Sequence, residues 1–290
     1  MKRLINYDLL QWKSSSIRKP LLMRGARQVG KTHAVREFGK TFQNIVEINF
    51  ELNSNFIVIF EKDLEPTRII NALVAMTMQS ITPGKTLLFF DEIQACPKAI
   101  IALRYFYELM PELHVIAAGS LLDFAIEQVG VPVGRIQFCY VYPVSFMEYL
   151  ATAHNMLFAM LLKNPDKALE PFLHNKLFEL LGQYIVLGGM PIIIAESLKE
   201  NNFSNIYALQ DSIIGAYQND FPKYAKKFQI KYVETLFEYI PRCIAHTFKY
   251  TSVDGDFQKR ELAPALDLLK KSGYYSQGIS NCRQWISVGR

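Results

Sequence analysis

Eight consecutive residues, 25–32, have the spacing of a phosphate-binding loop: Gly, four residues, Gly, Lys and then Ser or Thr. The glycines permit a tight turn whose successive backbone N–H groups point at one anion. Lys31 adds a positive charge for the phosphates, and the Thr32 hydroxyl is a ligand that suits Mg²⁺. The predicted nucleotide-binding residues are Gly25, Ala26, Arg27, Gln28, Val29, Gly30, Lys31, Thr32 and His33.

The residues on either side of this loop predict the elements that should position it. Residues 20–24 are a short apolar run typical of a buried parallel strand. Residues 33–40 place Ala34, Val35 and Phe38 on one face of a predicted helix. A chance glycine turn is the alternative interpretation, but the order of strand, loop and helix favours a phosphate site.

A second apolar run, residues 86–90, ends in two carboxylates, Asp91 and Glu92. Open α/β sheets bind ligands at the carboxyl ends of their strands, which is where this strand delivers both acids. Asp91 is predicted to hold Mg²⁺ through its water shell, and Glu92 to act as the general base that polarises the attacking water. The alternative is an acidic pair that caps the following helix.

Further strands are predicted at residues 44–50, 114–120 and 138–142. Ser120, at the end of its strand, is placed to sense the γ-phosphate or the attacking water, and it is equally well placed to cap the helix predicted over 121–128. Both roles could hold together. Strands that alternate with helices predict a parallel sheet with helices on both faces.

Composition limits the class of protein. A length of 290 residues, half of them hydrophobic, predicts two domains with substantial cores. The sequence has no apolar segment of about 20 residues and no apolar signal core, so we expect a cytoplasmic protein without a membrane partner. The cysteines and histidines have no metal-ligand spacing, and we assign none of them to a metal.

Charge is unevenly distributed along the chain. Residues 1–220 carry a net charge of −1, whereas residues 221–290, with 12 Lys and Arg and 6 Asp and Glu, carry +6. This asymmetry is typical of a chain with an acidic partner such as nucleic acid, and an ordinary solvated basic surface is the equal alternative.

The motifs GARQVGKT, LLFFDEIQ, HVIAAGSLLDF, VGR and YPVSFMEYL, in this order, closely resemble a bacterial and archaeal family of AAA-type ATPases with a C-terminal domain of unknown function. The resemblance implies a P-loop NTPase with a five-stranded parallel sheet, in which the Ser120 strand separates the loop strand from the acidic strand. It implies that Lys31 and Thr32 are Walker A residues, that Asp91 and Glu92 are Walker B residues and that Ser120 is a sensor-like position. The implied cofactors are ATP, rather than GTP, and Mg²⁺.

The resemblance also identifies residues outside the core motifs. Arg135 matches the family's Gly-Arg and is expected either to reach the nucleotide, in cis or from a neighbouring subunit, or to form a surface salt bridge. The signature Gly188-Gly189-Met190-Pro191 is followed here by Ile192 instead of an acidic residue, and its glycines are expected to permit close packing or a tight turn. Residues 217–221 are also similar to the family, without chemistry that the sequence assigns.

The second half of the chain is predicted to be mainly helical. We expect a P-loop domain over residues 1–150, an α-helical lid over 151–227 and a winged-helix-like segment over 228–290, with a wing strand at 273–279. The helix predicted over 258–271 carries Lys259, Arg260, Lys270 and Lys271, which suit DNA phosphates or a protein-docking surface equally well. Because members of the family usually continue into a nuclease-like domain, we expect a C-terminally truncated or frameshifted member. No acidic-lysine nuclease cluster is visible in the sequence, so no nuclease activity is expected.

These observations favour an Mg²⁺-dependent ATPase that couples its nucleotide state to a basic DNA- or protein-binding module. The alternative is a nucleotide-regulated binding module with negligible turnover. A small-molecule kinase is disfavoured because no acceptor-substrate site is apparent. The sequence leaves the oligomeric state and the physiological partner open.

Overall fold

The computed structural model describes residues 1, 3–130, 134–163, 168–199, 203–244 and 246–275. The chain divides into two compact units, Met1–Asn219 and Asp220–Arg290. The division into residues 1–150, 151–227 and 228–290 stays a prediction.

The first unit is built on a parallel sheet. Its strands are β1 (Leu21–Arg24), β2 (Asn44–Asn49), β3 (Thr86–Asp91), β4 (His114–Ala118) and β5 (Gln137–Tyr140). They lie in the order β2-β3-β4-β1-β5, and every neighbouring pair is parallel. β4 therefore separates the loop strand β1 from the acidic strand β3, which confirms the predicted topology.

Helices connect and follow these strands. The helices that precede β5 in the chain are α1 (Ile5–Ser14), α2 (Lys31–Gly39), α3 (Ile59–Lys62), α4 (Pro66–Thr77), α5 (Pro97–Leu109) and α6 (Leu122–Val129). After β5 come α7 (Phe146–Ala153), α8 (Asn155–Lys163), α9 (Pro171–Leu187), α10 (Pro191–Ser197) and α11 (Phe203–Tyr224). The division between the two units falls within α11.

Both faces of the sheet are buried, as the apolar strand sequences predict. Leu88 and Phe90 of β3 belong to a core cluster that includes Ile100 and Leu103 of α5. On β4, His114 faces the other way, because its ring packs against Trp12 of α1. Such a sheet, with both of its faces covered, is typical of α/β proteins with parallel strands.

The helices after β5 form a cluster of their own within the first unit. Tyr149 of α7, Leu187 of α9 and Ile193 of α10 are buried together with Ile206 and Ile213 of α11. Gly189 is in close contact with this region, since a Cβ atom there would lie 2.6 Å from the carbonyl oxygen of Val144. This contact agrees with the predicted packing role of the Gly-Gly signature.

The second unit contains α12 (Ile230–Tyr239) and α13 (Lys259–Lys271). Val233 and Leu236 of α12 pack against Leu262 and Leu269 of α13 in one buried cluster. The two helices agree with the predicted ones. Among residues 220–244 and 246–275, however, no strand forms, and most of the predicted wing lies outside the described residues.

The winged-helix prediction is therefore not confirmed. Residues 280–285, which gave rise to the expectation of truncation, also lie outside the described part of the chain. No helix in the described ranges combines the length and the apolar character needed to cross a bilayer. Within the same ranges, no cluster of His, Cys, Asp and Glu has a metal-binding arrangement.

Candidate functional site

The loop between β1 and α2 has the backbone conformation of an anion nest. Gly25, Gln28 and Gly30 all have positive φ angles, of 141°, 65° and 93°. A side chain at Gly25 would collide with the carbonyl oxygen of Val141, so this position requires glycine. The N-cap residue of α2 is Gly30, which has no side chain to cap the first N–H groups of the helix, and this suits an anionic ligand at that position.

Lys31 is buried at the start of α2, with a relative exposure of 7%. Its Nζ donates hydrogen bonds of 2.8 Å to the carbonyl oxygens of Gly25 and Ala26. Burial lowers the pKa of Lys31 to about 8, against the opposing charges of Glu92 and Asp91. Within the described residues, no carboxylate lies within ion-pair distance of its Nζ, which suits a lysine that accepts an anionic ligand.

Asp91 ends β3 beside the loop. The hydroxyl of Thr32 lies 3.2 Å from each of its carboxylate oxygens, and the amide of Asn49 donates to Oδ2 at 3.2 Å. Burial and the neighbouring Glu92 raise the pKa of the Asp91 carboxyl. The register places Asn49 directly opposite Asp91 on the neighbouring strand β2. The site therefore groups three oxygen-bearing side chains at one edge of the sheet.

Glu92 follows in a left-handed backbone conformation, with φ of 49°. Its side chain caps no helix, which argues against the structural alternative for the acidic pair. Instead, Nε2 of Gln94 donates to Oε2 of Glu92 at 2.6 Å, and Gly119 lies so close to Gln94 that a Cβ atom there would collide with it. Gln94 thus fixes the orientation of the Glu92 carboxylate.

A cavity of about 210 Å³ joins these residues. It is lined by Arg27, Gln28, Gly30, Lys31, Thr32, His33, Glu92 and Ser120. Of the remaining predicted loop residues, Ala26 and Val29 are buried. Ser120 lines the cavity, and α6 begins at Leu122 with Leu121 as its N-cap residue, so both roles of Ser120 stay predictions.

Arg135 does not join the cavity, and the prediction that it reaches the nucleotide in cis is wrong. It precedes β5, whose first residue pairs with Leu21 at the start of β1, whereas the loop follows the end of β1. Its Nε lies 2.7 Å from Oε1 of Glu108, at the end of α5. The salt-bridge interpretation therefore describes Arg135 in this structure, and a role towards a neighbouring subunit stays a prediction.

Comparison with known sequences finds two similar regions in the chain. Residues 17–150 match the family described as "AAA domain", and residues 178–280 match a "Domain of unknown function", DUF8612. Residues 17–150 are therefore similar to the AAA domain family. A search of curated proteins returns no significant match.

Solved structures were compared with this chain, and one of them shares its fold. The Walker-type ATPase PaBY2304 of Pyrococcus abyssi is similar over 93% of this chain and 89% of its own, with a TM-score of 0.57 and 18% identity. AMPPCP-bound DnaA from Aquifex aeolicus aligns over 94% and 78% of the two chains, with a TM-score of 0.36 and 14% identity. Residues 17–150 have the P-loop ATPase fold.

The donor set of the AAA domain fits a nucleotide with Mg²⁺. Mg²⁺ prefers oxygen ligands and usually takes one or two from the protein while keeping several waters. The Thr32 hydroxyl and the Asp91 carboxylate form such a pair of oxygen donors. The buried Lys31, bonded only to backbone carbonyls, fits the phosphates.

Sequence analysis missed two side chains that contact the loop. The Tyr217 hydroxyl donates to the carbonyl oxygen of Arg27 at 2.9 Å, and Nη1 of Arg3 donates to that of Val29 at 3.2 Å. Neither contact has a spacing signal that could predict it, because the partners are 190 and 26 residues apart. Only the family-like segment at 217–221 pointed to this region.

Proposed function

We propose that this protein hydrolyses ATP with Mg²⁺ and couples its nucleotide state to the basic C-terminal unit. The observation that supports the proposal is the convergence of Lys31, Thr32 and Glu92 on one cavity, with Asp91 bonded to Thr32 beneath it. A phosphate loop, a metal-binding oxygen pair and a glutamate on the same cavity are the parts that phosphoryl transfer to water requires.

The loop would bind the phosphates through its backbone N–H groups and through Lys31. On binding, Nζ of Lys31 would exchange its two carbonyl acceptors for phosphate oxygens, which are stronger partners because they are charged. Bound Mg²⁺ would supply positive charge that neutralises the phosphate oxygens. Thr32 and Asp91 are the residues that would hold it, the carboxylate through water.

Glu92 would take the proton of the attacking water. Glu92 lines the cavity, and its position next to Asp91 would place it beside the reacting phosphate. Ser120 would hydrogen-bond the γ-phosphate or the same water. Loss of the γ-phosphate would release the segment around Ser120, and this is the step that would change the protein's conformation.

The basic C-terminal unit would bind DNA or a protein. Lys259, Arg260, Lys270 and Lys271 lie on α13, whose apolar face is buried in the second unit. Lys271 already pairs with Asp267 at 2.9 Å, which reduces its contribution to a phosphate contact. The alternatives of DNA and protein both stay open, and the salt dependence of binding separates them because phosphate contacts release counterions.

A second candidate is a nucleotide-regulated module with negligible turnover. One observation favours it: the Glu92 carboxylate already accepts a 2.6 Å hydrogen bond from Gln94. A carboxylate oxygen engaged in this way is already occupied and would have to leave Gln94 before it could accept a proton from water. Turnover would then wait for a partner that displaces Gln94.

Steady-state phosphate release with Mg²⁺ and ATP, measured with and without duplex DNA, separates the two candidates. An ATPase releases phosphate in repeated turnovers without DNA. A regulated module binds ATP with the same loop but releases less than one phosphate per protein molecule. Failure to bind ATP at all would overturn both.

A further inference from the structure

The phosphate loop is held from its outer side by two residues that belong to none of the nucleotide motifs. These are Arg3, before α1, and Tyr217, on α11, and both lie in the unit Met1–Asn219. Each donates a hydrogen bond to a carbonyl oxygen of the loop, at Val29 and at Arg27 respectively.

Because the peptide bond is planar, these contacts also set the orientation of the loop N–H groups that face the phosphate site. In a planar trans peptide, the C=O of one residue and the N–H of the next point in opposite directions. A donor outside the loop that fixes the Arg27 carbonyl therefore directs the Gln28 N–H inward. In the same way, a donor on the Val29 carbonyl directs the Gly30 N–H inward.

The loop needs such support because its conformation is unfavourable by itself. Gln28 has φ of 65°, a left-handed conformation that costs a non-glycine residue free energy. It lies between the peptide groups that Tyr217 and Arg3 hold. The nest therefore relies on contacts from outside the loop when no phosphate is bound.

Arg3 is itself firmly fixed. Its Nε donates to Oε1 of Glu148 at 3.0 Å, and its Nη2 donates to the carbonyl of Tyr142 at 2.6 Å. Glu148 is buried and also accepts from the backbone N–H groups of Leu4 and Ser145. The planar guanidinium thus presents Nη1 to the loop in one orientation.

Tyr217 reaches the loop from the helical region, at the turn that carries the Gly-Gly-Met-Pro signature. Its hydroxyl lies 3.8 Å from Sδ of Met190. Pro191 is close to the loop, because its Cγ would lie 3.6 Å from a Cβ atom built on Gly30. The signature turn and Tyr217 thus cover the same stretch of the loop.

We propose that Arg3 and Tyr217 are positioning residues that pre-orient the Gln28 and Gly30 N–H groups for the nucleotide phosphates. The expected effect on ADP affinity rests on the proposed function, whereas the expected effect on the order of the loop backbone does not. Neither residue touches the reacting atoms, so each acts through the loop backbone.

The variant Tyr217→Phe tests the inference because it removes one hydroxyl and keeps the ring. Tyr184→Phe is the matched control, since the Tyr184 hydroxyl donates to the carbonyl of Val144, outside the loop, at 2.6 Å. The dissociation constant of a fluorescent ADP is measured at 25 °C, together with the melting temperature of the unliganded proteins. Well below that temperature, affinity does not depend on global stability.

We expect Tyr217→Phe to weaken ADP binding by about 3- to 10-fold, the effect of one neutral hydrogen bond. Tyr184→Phe should bind ADP as the wild type does, with a comparable melting temperature. Arg3→Lys keeps the positive charge beside Glu148 but loses the planar guanidinium, whose N–H groups reach three partners at once. It should therefore weaken ADP binding as well. Affinity of Tyr217→Phe within about twofold of the wild type would overturn the inference and leave the proposed function standing.

A second readout does not depend on nucleotide. The ¹⁵N order parameters of Gln28 and Gly30 are measured in the unliganded wild type and in Tyr217→Phe. We expect the Gln28 value to fall from about 0.85, typical of rigid backbone, towards 0.6, while Tyr184→Phe leaves it unchanged. If the wild type binds no ADP, the proposed function fails, and unchanged order parameters in Tyr217→Phe would then overturn the inference independently.

Discussion

The Thr32 hydroxyl lies 3.2 Å from each carboxylate oxygen of Asp91, although the two residues are 59 positions apart in sequence. The contact links the start of α2 to the end of β3 and brings the two predicted motifs to one edge of the sheet. It places two oxygen donors of the kind that Mg²⁺ prefers beside the phosphate loop.

Removal of the Lys31 charge should abolish nucleotide binding. We expect Lys31→Ala to weaken ATP binding at least about 100-fold, because two charge-assisted hydrogen bonds to phosphate are lost. Titration with a fluorescent ATP checks this. Lys40→Ala is the control, since Lys40 lies at the other end of α2 and pairs with Glu37 at the surface. Lys31→Ala binding within about threefold of the wild type would contradict the assignment.

Nucleotide affinity should fall as the pH rises through about 8. The pKa of Lys31 is lowered to about 8 by burial, and phosphate binds its charged form. Between pH 7 and 9 we therefore expect the dissociation constant of ATP to rise about tenfold, with proton uptake on binding near pH 8. Calorimetry in two buffers of different ionisation enthalpy measures that uptake. Constant affinity over this range would show that Lys31 stays charged without help from the ligand.

Loss of the Asp91 carboxylate should affect the metal requirement before it affects the nucleotide. We expect Asp91→Asn to raise the Mg²⁺ concentration for half-maximal phosphate release by about tenfold or more, since a charged oxygen ligand is lost. Its ATP affinity in EDTA should remain close to that of the wild type. An unchanged Mg²⁺ midpoint would place the metal elsewhere.

His114 should make the fold less stable in acid. Burial lowers its pKa to about 4, with Arg18 adding to the effect, and its Nδ1 has no hydrogen-bond partner among the described residues. Since the unfolded chain takes up a proton near pH 6.5 and the folded chain does not, stability falls as the pH drops from 6.5 towards 4.

The expected loss is about 2–3 kcal/mol in the free energy of unfolding between pH 7 and 4.5. Urea titrations at both pH values measure it. His114→Gln should reduce the difference by that amount, whereas His174→Gln, at an exposed position on α9, should not. Equal differences in wild type and His114→Gln would mean that another group titrates.

Much of the site was predictable because each part has a local signature. The spacing of Gly25, Gly30 and Lys31 specifies the loop, and an apolar run specifies the strand that ends at Asp91. Parallel strands then bring their carboxyl ends together, so that the convergence of Lys31, Thr32 and Glu92 follows from topology. The helices of the second unit were predictable from the helical spacing of their apolar residues.

What could not be predicted depends on contacts distant in sequence. Arg3 and Tyr217 reach the loop only after α1 and α11 have packed, and no periodicity encodes that. The prediction that Arg135 reaches the nucleotide in cis failed for a different reason. The Gly-Arg motif identifies the residue, but it does not indicate at which edge of the sheet the residue lies. Since Arg135 precedes a parallel strand, it lies at the edge opposite the loop.

The most direct test of the nucleotide mechanism is phosphate release by Glu92→Gln under single-turnover conditions with Mg²⁺ and ATP. The control is Glu37→Gln, at the exposed surface of α2. We predict that Glu92→Gln binds ATP as the wild type does and releases phosphate at least about 100-fold more slowly, the usual contribution of a general base. Release at the wild-type rate would contradict the role of Glu92 and the mechanism built on this cavity.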